Sequence, residues 1–232
     1  MREGGEMWSR PWRRHDLLHV APDVWASVLA FHPPLADLPL LGEWADRGWP
    51  VIVRRRGEAD NRHLVPVGVP LPPAARKRRI ALLIVPEGVL QRSRPPLLHA
   101  SASAADPNWR STIDALVAVG ARSGVEPATF GSLLWQHLTG LAYLTPRSDL
   151  DVLWQIPANF DVHSLVYNIA QVQRAAPLRI DGEIIFPDGS GVNWRELWNA
   201  HQAAGRATVL AKTMESVRLL DVASLACVAG HA

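Results

Sequence analysis

Residues 131–152 read GSLLWQHLTGLAYLTPRSDLDV, and this stretch decides the fold class that the sequence predicts. The spacing of its apolar residues predicts a helix that begins at Gly131-Ser132 and runs to about Leu141. Apolar residues then alternate with polar ones, which predicts a strand over residues 149–156. The sequence therefore predicts the order glycine-serine, helix, strand.

Two carboxylates lie at the start of this predicted strand. Because successive side chains on a strand point to opposite faces, Asp149 and Asp151 should project from one face, while Leu150 and Val152 turn into the core. Neighbouring carboxylates repel each other unless a cation lies between them. Mg²⁺ suits such a pair, since it takes one or two carboxylates together with water and phosphate oxygens. We therefore expect Asp149 and Asp151 to be catalytic Mg²⁺ ligands, with Mn²⁺ as a possible substitute.

The start of the predicted helix supplies a complementary feature. Gly131 lets the backbone approach a ligand closely, and the N–H groups of the first helical turn at Ser132 favour a phosphate. Gly131 and Ser132 are therefore predicted to bind substrate beside the metal. Either motif alone is weak, because an Asp-x-Asp at a strand end or a plain N-cap explains most single occurrences.

Working outward, helical and extended segments alternate on both sides of this stretch, which predicts an α/β (α+β) fold with a mixed sheet and flanking helices. The expected elements are a helix opened by Asp106-Pro107 and closed by Gly120 or Gly124, a strand at Thr129-Phe130, a helix over 161–174, an extended segment over 178–186, a helix with a capping box at Asn193–Glu196, and a strand over 208–212.

The N-terminal part has a different character. Residues 1–95 carry 15 basic and 10 acidic side chains, and the remainder is acidic, which suggests an anionic ligand or partner for the first part. Strands are expected over 49–53 and 80–85, each beside a basic cluster. Residues 91–107 contain Pro-Pro and an Ala/Ser run typical of a linker. We predict a smaller, basic, strand-containing domain over 1–90 and a catalytic domain over 91–232.

The order of motifs is similar to that of the polymerase-β-type nucleotidyltransferase superfamily. More narrowly, it resembles the malonate decarboxylase holo-acyl-carrier-protein synthase family, also called phosphoribosyl-dephospho-CoA transferases. The matching segments are distributed along nearly the whole chain. They are Arg14-His15-Asp16-Leu17-Leu18, Val53-Arg54-Arg55, Gly131–Asp151, Asp181-Gly182-Glu183, Asp188-Gly189 and Trp194-Arg195-Glu196-Leu197.

This resemblance implies a defined reaction. A serine of the malonate decarboxylase acyl-carrier protein attacks the α-phosphorus of 2′-(5″-triphosphoribosyl)-3′-dephospho-CoA, and pyrophosphate leaves. The superfamily usually adds a third carboxylate from a later strand; here Asp181 is the first choice and Glu183 the second, although Asp-Gly is also a hairpin-turn signal.

Cationic side chains at strand ends are the candidates for binding the triphosphate or an acidic carrier. Arg54 or Arg55 and Lys212 have this position, and guanidinium and ammonium groups bind phosphate well. The alternative is that Arg54-Arg55-Arg56 is simply a solvated charge run.

Other function classes are less consistent with the sequence. One alternative is another Mg²⁺-dependent nucleotidyltransferase acting on a small molecule, a protein or an RNA. A non-catalytic nucleotide- or nucleic-acid-binding protein is disfavoured because both Asp residues are present and the C-terminal part is acidic. The single cysteine, Cys227, and the lack of any run long enough to span a membrane predict a cytoplasmic protein without disulfides or membrane partners.

Overall fold

A computed structural model describes residues 11–38, 40–203, 207–222 and 224–225, so Cys227 lies outside the described residues. The chain forms two compact units. One extends to Val69 and resumes over Ala81–Arg94, and the other comprises Pro70–Ile80 and the chain from Pro95 onward. The boundary therefore does not fall at a single point in the sequence.

The first unit is built on a five-stranded sheet with the strand order β4-β3-β2-β1-β5. The pairs β1–β2, β1–β5 and β2–β3 are antiparallel. Two buried indoles tie the connecting segments down, since Trp25 donates to the Leu41 carbonyl and Trp44 to that of Pro50. The elements are β1 (Leu17–Val20), α1 (Pro22–Ala30), α2 (Pro33–Ala36), β2 (Val51–Val53), β3 (Val65–Pro70), β4 (Arg79–Ile84) and β5 (Val89–Ser93).

The second unit holds a six-stranded mixed sheet with the order β11-β10-β9-β8-β7-β6. The pair β7–β8 is parallel and is joined by the helix α5, whereas β6–β7, β8–β9, β9–β10 and β10–β11 are antiparallel. The elements are α3 (Arg110–Ser123), β6 (Pro127–Thr129), α4 (Gly131–Thr139), β7 (Leu150–Gln155), α5 (Val162–Ala175), β8 (Ile180–Ile185), β9 (Gly191–Asn193), α6 (Trp194–Gln202), β10 (Thr208–Lys212) and β11 (Val217–Asp221).

The core of this second unit forms where the helices cover the sheet. Leu150, Val152 and Trp154 of β7 are fully buried, as are Leu165 and Ile169 of α5. The alternation of buried apolar residues along β7 leaves Asp151 on the opposite face. The α+β fold class predicted from the sequence is confirmed, and so is the strand over 208–212.

Three local predictions need correction. Gly120 is buried inside α3, where a Cβ would meet Val125 and Pro127, and it is Gly124, with a φ of +70°, that ends the helix. The segment interpreted as a linker contains the end of β5 and a 3₁₀ helix over Leu98–Ala104.

The third correction concerns the capping box that opens α6. Asn193 caps the helix by accepting from the backbone N–H of Arg195. Glu196 does not turn back to the N-cap, because its Oε2 accepts from the backbone N–H of Leu210. The glutamate therefore ties α6 to β10 and leaves Asn193 as the cap.

Candidate active site

The parallel pairing of β7 and β8 brings the predicted carboxylates to one place. In this register Asp151 and Asp181 are direct Cα partners, so their side chains leave the same face of the sheet. Asp149 lies just before β7, two residues ahead of Asp151. The three side chains are partly exposed, as expected for groups that a substrate must reach.

These carboxylates act on one another electrostatically. Burial, together with the negative charges of Asp181 and Asp149, raises the pKa of Asp151 to about 7, and the positive charges of Arg79 and Arg179 partly oppose this rise. A carboxyl group in such surroundings favours either a proton or a cation.

Gly131 is adapted to its place beside Asp151. Its φ is +61°, a conformation that side chains rarely adopt, and a Cβ at this position would lie 1.9 Å from the Asp151 Oδ2 atom. The N-cap residue of α4 is Phe130, whose side chain has no hydrogen-bond acceptor. The first-turn N–H groups of α4, which have no acceptor within the helix, thus begin next to the carboxylates.

The loop between α4 and β7 is held by side chains from the motif that resembles the transferase family. Gln136 accepts from the backbone N–H groups of Tyr143 and Leu144 and donates to the carbonyl of Ala104. Ser148 accepts from the backbone N–H of Thr145. These bonds fix the residues that lead into Asp149, which gives the motif a positioning role.

Asp181 is held by two donors on one oxygen. Its Oδ1 atom accepts hydrogen bonds from the backbone N–H of Gly182 at 2.8 Å and from Asn193 Nδ2 at 2.7 Å. The same Asn193 caps α6. Asp181 Oδ1 is therefore fixed by the start of a helix, while Oδ2 lies 3.7 Å from the Nη2 atom of Arg179.

Arg179 bridges the cluster from the solvent side. Its Nε atom lies 3.6 Å from Asp149 Oδ2 and its Nη2 atom 3.7 Å from Asp181 Oδ2. These separations exceed hydrogen-bond length. Sequence reasoning missed this residue, although it precedes Asp181 by two positions and alternation would have indicated a shared face.

Two further arginines are coupled electrostatically to the cluster, and sequence reasoning missed them as well. Arg195 donates to Gln173 Oε1 and to the carbonyl of Ile180, and its guanidinium lies over the ring of Trp194. Burial lowers its pKa, and the nearby charge of Arg179 lowers it further. Arg79, which lies in the segment Pro70–Ile80 of the second unit, lowers the pKa of Asp151 through its positive charge.

Glu183, the second choice for the third carboxylate, has a different environment. It is 7% exposed, and its Oε1 atom lies 3.1 Å from Lys212 Nζ. Lys212 therefore neutralises Glu183 inside the sheet. The predicted role of Lys212 in substrate binding stays a prediction.

Arg54 and Arg55 belong to the first unit. Arg54 donates to both carboxylate oxygens of Asp60, at 2.6 and 3.0 Å, and to the carbonyl of Val67. Arg55 is exposed and donates to the carbonyl of Arg56. Both residues follow β2, which ends at Val53; Arg54 is engaged by an internal carboxylate, whereas Arg55 is directed to solvent.

The carboxylate set also bears on metal binding. Within the described ranges, no group of three or more His, Cys, Asp or Glu side chains is placed to hold a metal ion by itself. An oxygen-only pair such as Asp149 and Asp151 is nevertheless the kind of partial ligand set that Mg²⁺ completes with water and phosphate.

Helices in the described part of the chain are all too short or too polar to cross a membrane.

Comparison with known proteins gives matches over most of the chain. The phosphoribosyl-dephospho-CoA transferase MdcG N-terminal domain matches residues 13–96, and the corresponding C-terminal domain matches residues 96–223. A phosphoribosyl-dephospho-CoA transferase of Bradyrhizobium diazoefficiens is 42% identical, with 91% of each chain covered. One from Xanthomonas campestris pv. campestris is 37% identical, with 91% of this chain and 95% of the relative covered. No solved structure matches significantly.

Proposed function

The chain belongs to the phosphoribosyl-dephospho-CoA transferase MdcG family, and from this premise we propose the reaction that it catalyses. The transferred group comes from 2′-(5″-triphosphoribosyl)-3′-dephospho-CoA, and the acceptor is a serine hydroxyl of the malonate decarboxylase acyl-carrier protein. The serine oxygen forms a bond to the α-phosphorus, the bond to the β-phosphate oxygen breaks, and pyrophosphate leaves. We further propose that the second unit is of the nucleotidyltransferase type and that the protein works in the cytoplasm.

The observation that carries this proposal is the pairing of Asp151 with Asp181 across the parallel strands β7 and β8. It supports an anionic centre for phosphoryl transfer, a reaction that depends on charge neutralisation and positioning more than on covalent catalysis. Asp149 and Asp151 are the residues that would hold Mg²⁺ or Mn²⁺. When bound, the metal would neutralise charge on the phosphate oxygens.

The remaining residues have distinct proposed roles. Asp181 is held through Oδ1 by Gly182 and Asn193, and its Oδ2 atom accepts the proton of the carrier serine. The α4 N-terminus at Gly131 and Ser132 binds a phosphate of the donor. Asp181 is preferred to Glu183 because the latter is paired with Lys212.

Mass spectrometry of the acceptor tests the function directly. Apo acyl-carrier protein is incubated with the donor, Mg²⁺ and the enzyme, and the carrier should gain the mass of the phosphoribosyl-dephospho-CoA group. A carrier whose acceptor serine is replaced by alanine is the matched control. Modification of an unrelated protein or an RNA in preference to the carrier would favour a nucleotidyltransferase with another acceptor.

A further inference from the structure

The guanidinium of Arg179 occupies an unusual position for a structural ion pair. It lies 3.6 Å from Asp149 and 3.7 Å from Asp181, and 58% of its side chain is exposed. An arginine that serves to hold a fold together is normally fixed by shorter, bidentate contacts. Arg54, with contacts of 2.6 and 3.0 Å to Asp60, is such a case in this chain. Arg179 is therefore a counter-ion that is near the carboxylates without being locked to them.

A second cation acts on Arg179 from within the protein. Arg195 is held in place by Gln173 and Ile180. The pKa of Arg195 is lowered first by burial and then by the positive charge of Arg179, so the two guanidinium groups repel each other. Arg179 is thus attracted by Asp149 and Asp181 and repelled by Arg195. A divalent cation on Asp149 and Asp151 would add a second repulsion and offset the attraction of Asp149.

We propose that Arg179 exchanges partners during the reaction: it neutralises Asp149 and Asp181 in the metal-free enzyme, and it binds a phosphate group of the substrate once a divalent cation occupies Asp149 and Asp151. This inference rests on the proposed function. A released guanidinium at the rim of an anionic centre can pair with a phosphate through two parallel hydrogen bonds. Arg179 would then prevent mutual repulsion of the carboxylates in the free enzyme and bind the donor in the loaded one.

The proposal predicts that one substitution, Arg179→Gln, changes the affinities for Mn²⁺ and for pyrophosphate in opposite directions. Arg179→Gln removes a cation that competes with the metal, so the variant should bind Mn²⁺ alone about threefold to tenfold more tightly than the wild type at low ionic strength. In saturating Mn²⁺ the same variant should bind pyrophosphate about tenfold more weakly, because the phosphate loses a bidentate partner. If Arg179 merely supported the fold, its replacement would weaken the binding of both Mn²⁺ and pyrophosphate.

Arg122→Gln is the matched control for net charge. Arg122 is exposed near the end of α3, and the chain then enters β6, whose Pro127 pairs with Trp154 at the end of β7 away from Asp149. This variant should leave both dissociation constants within about twofold of wild type, since distant exposed charges are screened. Equal tightening of Mn²⁺ binding in both variants would mean a bulk charge effect and would overturn the proposal.

Direct titration of Mn²⁺ by electron paramagnetic resonance, followed by calorimetric titration of pyrophosphate, gives both constants without turnover. Unchanged or weaker Mn²⁺ binding by Arg179→Gln would overturn the exchange of partners. If Arg179→Gln binds Mn²⁺ more tightly but leaves both the pyrophosphate affinity and the donor KM unchanged, Arg179 does not bind a substrate phosphate, and that part of the proposal is overturned. If the donor KM rises while the pyrophosphate affinity is unchanged, the proposal is supported, and the phosphate that Arg179 binds is one that remains on the transferred group. A failure of the proposed metal site gives a different result from a failure of the Arg179 proposal: if Asp149 and Asp151 do not hold the metal, Asp151→Asn binds Mn²⁺ with the same affinity as the wild type.

Discussion

A Cβ atom on Gly131 would lie 1.9 Å from Oδ2 of Asp151, so that this glycine and this carboxylate can occupy their positions only together. We expect Gly131→Ala to displace Asp151 and to reduce transfer at least about a hundredfold, because small misplacements of catalytic groups have effects of that size. The positive φ at this position also strains the backbone of the alanine variant by roughly 1–2 kcal/mol.

Gly124→Ala separates the strain from the steric effect. Gly124 also has a positive φ, of +70°, but a Cβ there would meet no atom within 4 Å. The control variant should show a lowered melting temperature with nearly normal kcat. Equal losses of activity in the two variants would show that backbone strain, rather than contact with Asp151, explains the need for glycine.

Asp149 and Asp151 are expected to be essential for turnover. Asp149→Asn and Asp151→Asn should each reduce kcat by about a thousandfold or more while the circular dichroism spectrum stays unchanged, since a main electrostatic stabiliser is lost. Wild-type activity should require added Mg²⁺ or Mn²⁺ and disappear with a chelator. Normal turnover by either folded variant, or in demetallated buffer, would exclude the metal assignment.

Much of β7 could be predicted because its signal is local. Leu150 and Val152 are fully buried, and alternation alone then assigns Asp151 to the opposite face. The pairing with Asp181 could not be predicted from local sequence, since the register of β7 and β8 depends on tertiary packing, including that of α5, the helix that connects the two strands. The dipeptide Asp181-Gly182 is also a sequence signal for a hairpin turn, which points away from a position inside a strand.

Gly182 instead lies within β8, where a Cβ would come 1.8 Å from the carbonyl oxygen of Val152. Close approach of two strands, rather than a turn, explains this glycine. In the N-terminal half, the association of Pro70–Ile80 with the second unit depends on tertiary contacts such as the bond from Tyr143 Oη to the carbonyl of Pro70. No local sequence pattern encodes such a contact.

The metal-free enzyme should be destabilised by its own active site. Asp151 is a partly buried acid whose pKa is raised to about 7, above its ordinary value of 3.8, so its ionisation opposes folding as pH rises from about 4 to 7. We expect Asp151→Asn to raise the melting temperature by about 2–6 °C at pH 8 in a chelator. The difference should vanish below about pH 4, where the carboxyl is protonated in both states.

Calorimetry with and without Mn²⁺ completes this test. The metal should raise the melting temperature of the wild type and not that of Asp151→Asn, because a ligand stabilises only the state that binds it. A variant less stable than the wild type in the chelator at pH 8 would show that Asp151 is held by favourable contacts rather than by the metal.

Arg54 and Arg55 should differ in their effects. Arg54→Ala breaks the contact with Asp60, whose pKa is lowered chiefly by the hydrogen bond from Arg54, so it should lower the melting temperature by about 2–4 °C at neutral pH. This loss should disappear as pH falls below the ordinary range of Asp, where the wild-type contact is also lost.

Arg55→Ala is the companion variant. Arg55 is exposed, so its replacement should leave the melting temperature unchanged and raise the KM for the donor or the carrier several-fold if it contacts an anion. A rise in the carrier KM that weakens at high salt would identify the carrier as the ligand. If neither KM changes by more than about twofold, the charge run is a solvated surface.

The ion pair between the buried Glu183 and the partly exposed Lys212 provides the last prediction. Lys212→Met should destabilise the protein by about 2–4 kcal/mol, because it leaves the carboxylate of Glu183, which is 7% exposed, without its cation. Glu183→Gln combined with Lys212→Met should recover most of that loss, since both charges are then absent. Urea denaturation of the single and double variants gives the coupling energy. If the stable double variant keeps normal donor KM, Lys212 is a structural partner of Glu183; if its KM rises strongly, Lys212 also contacts the substrate.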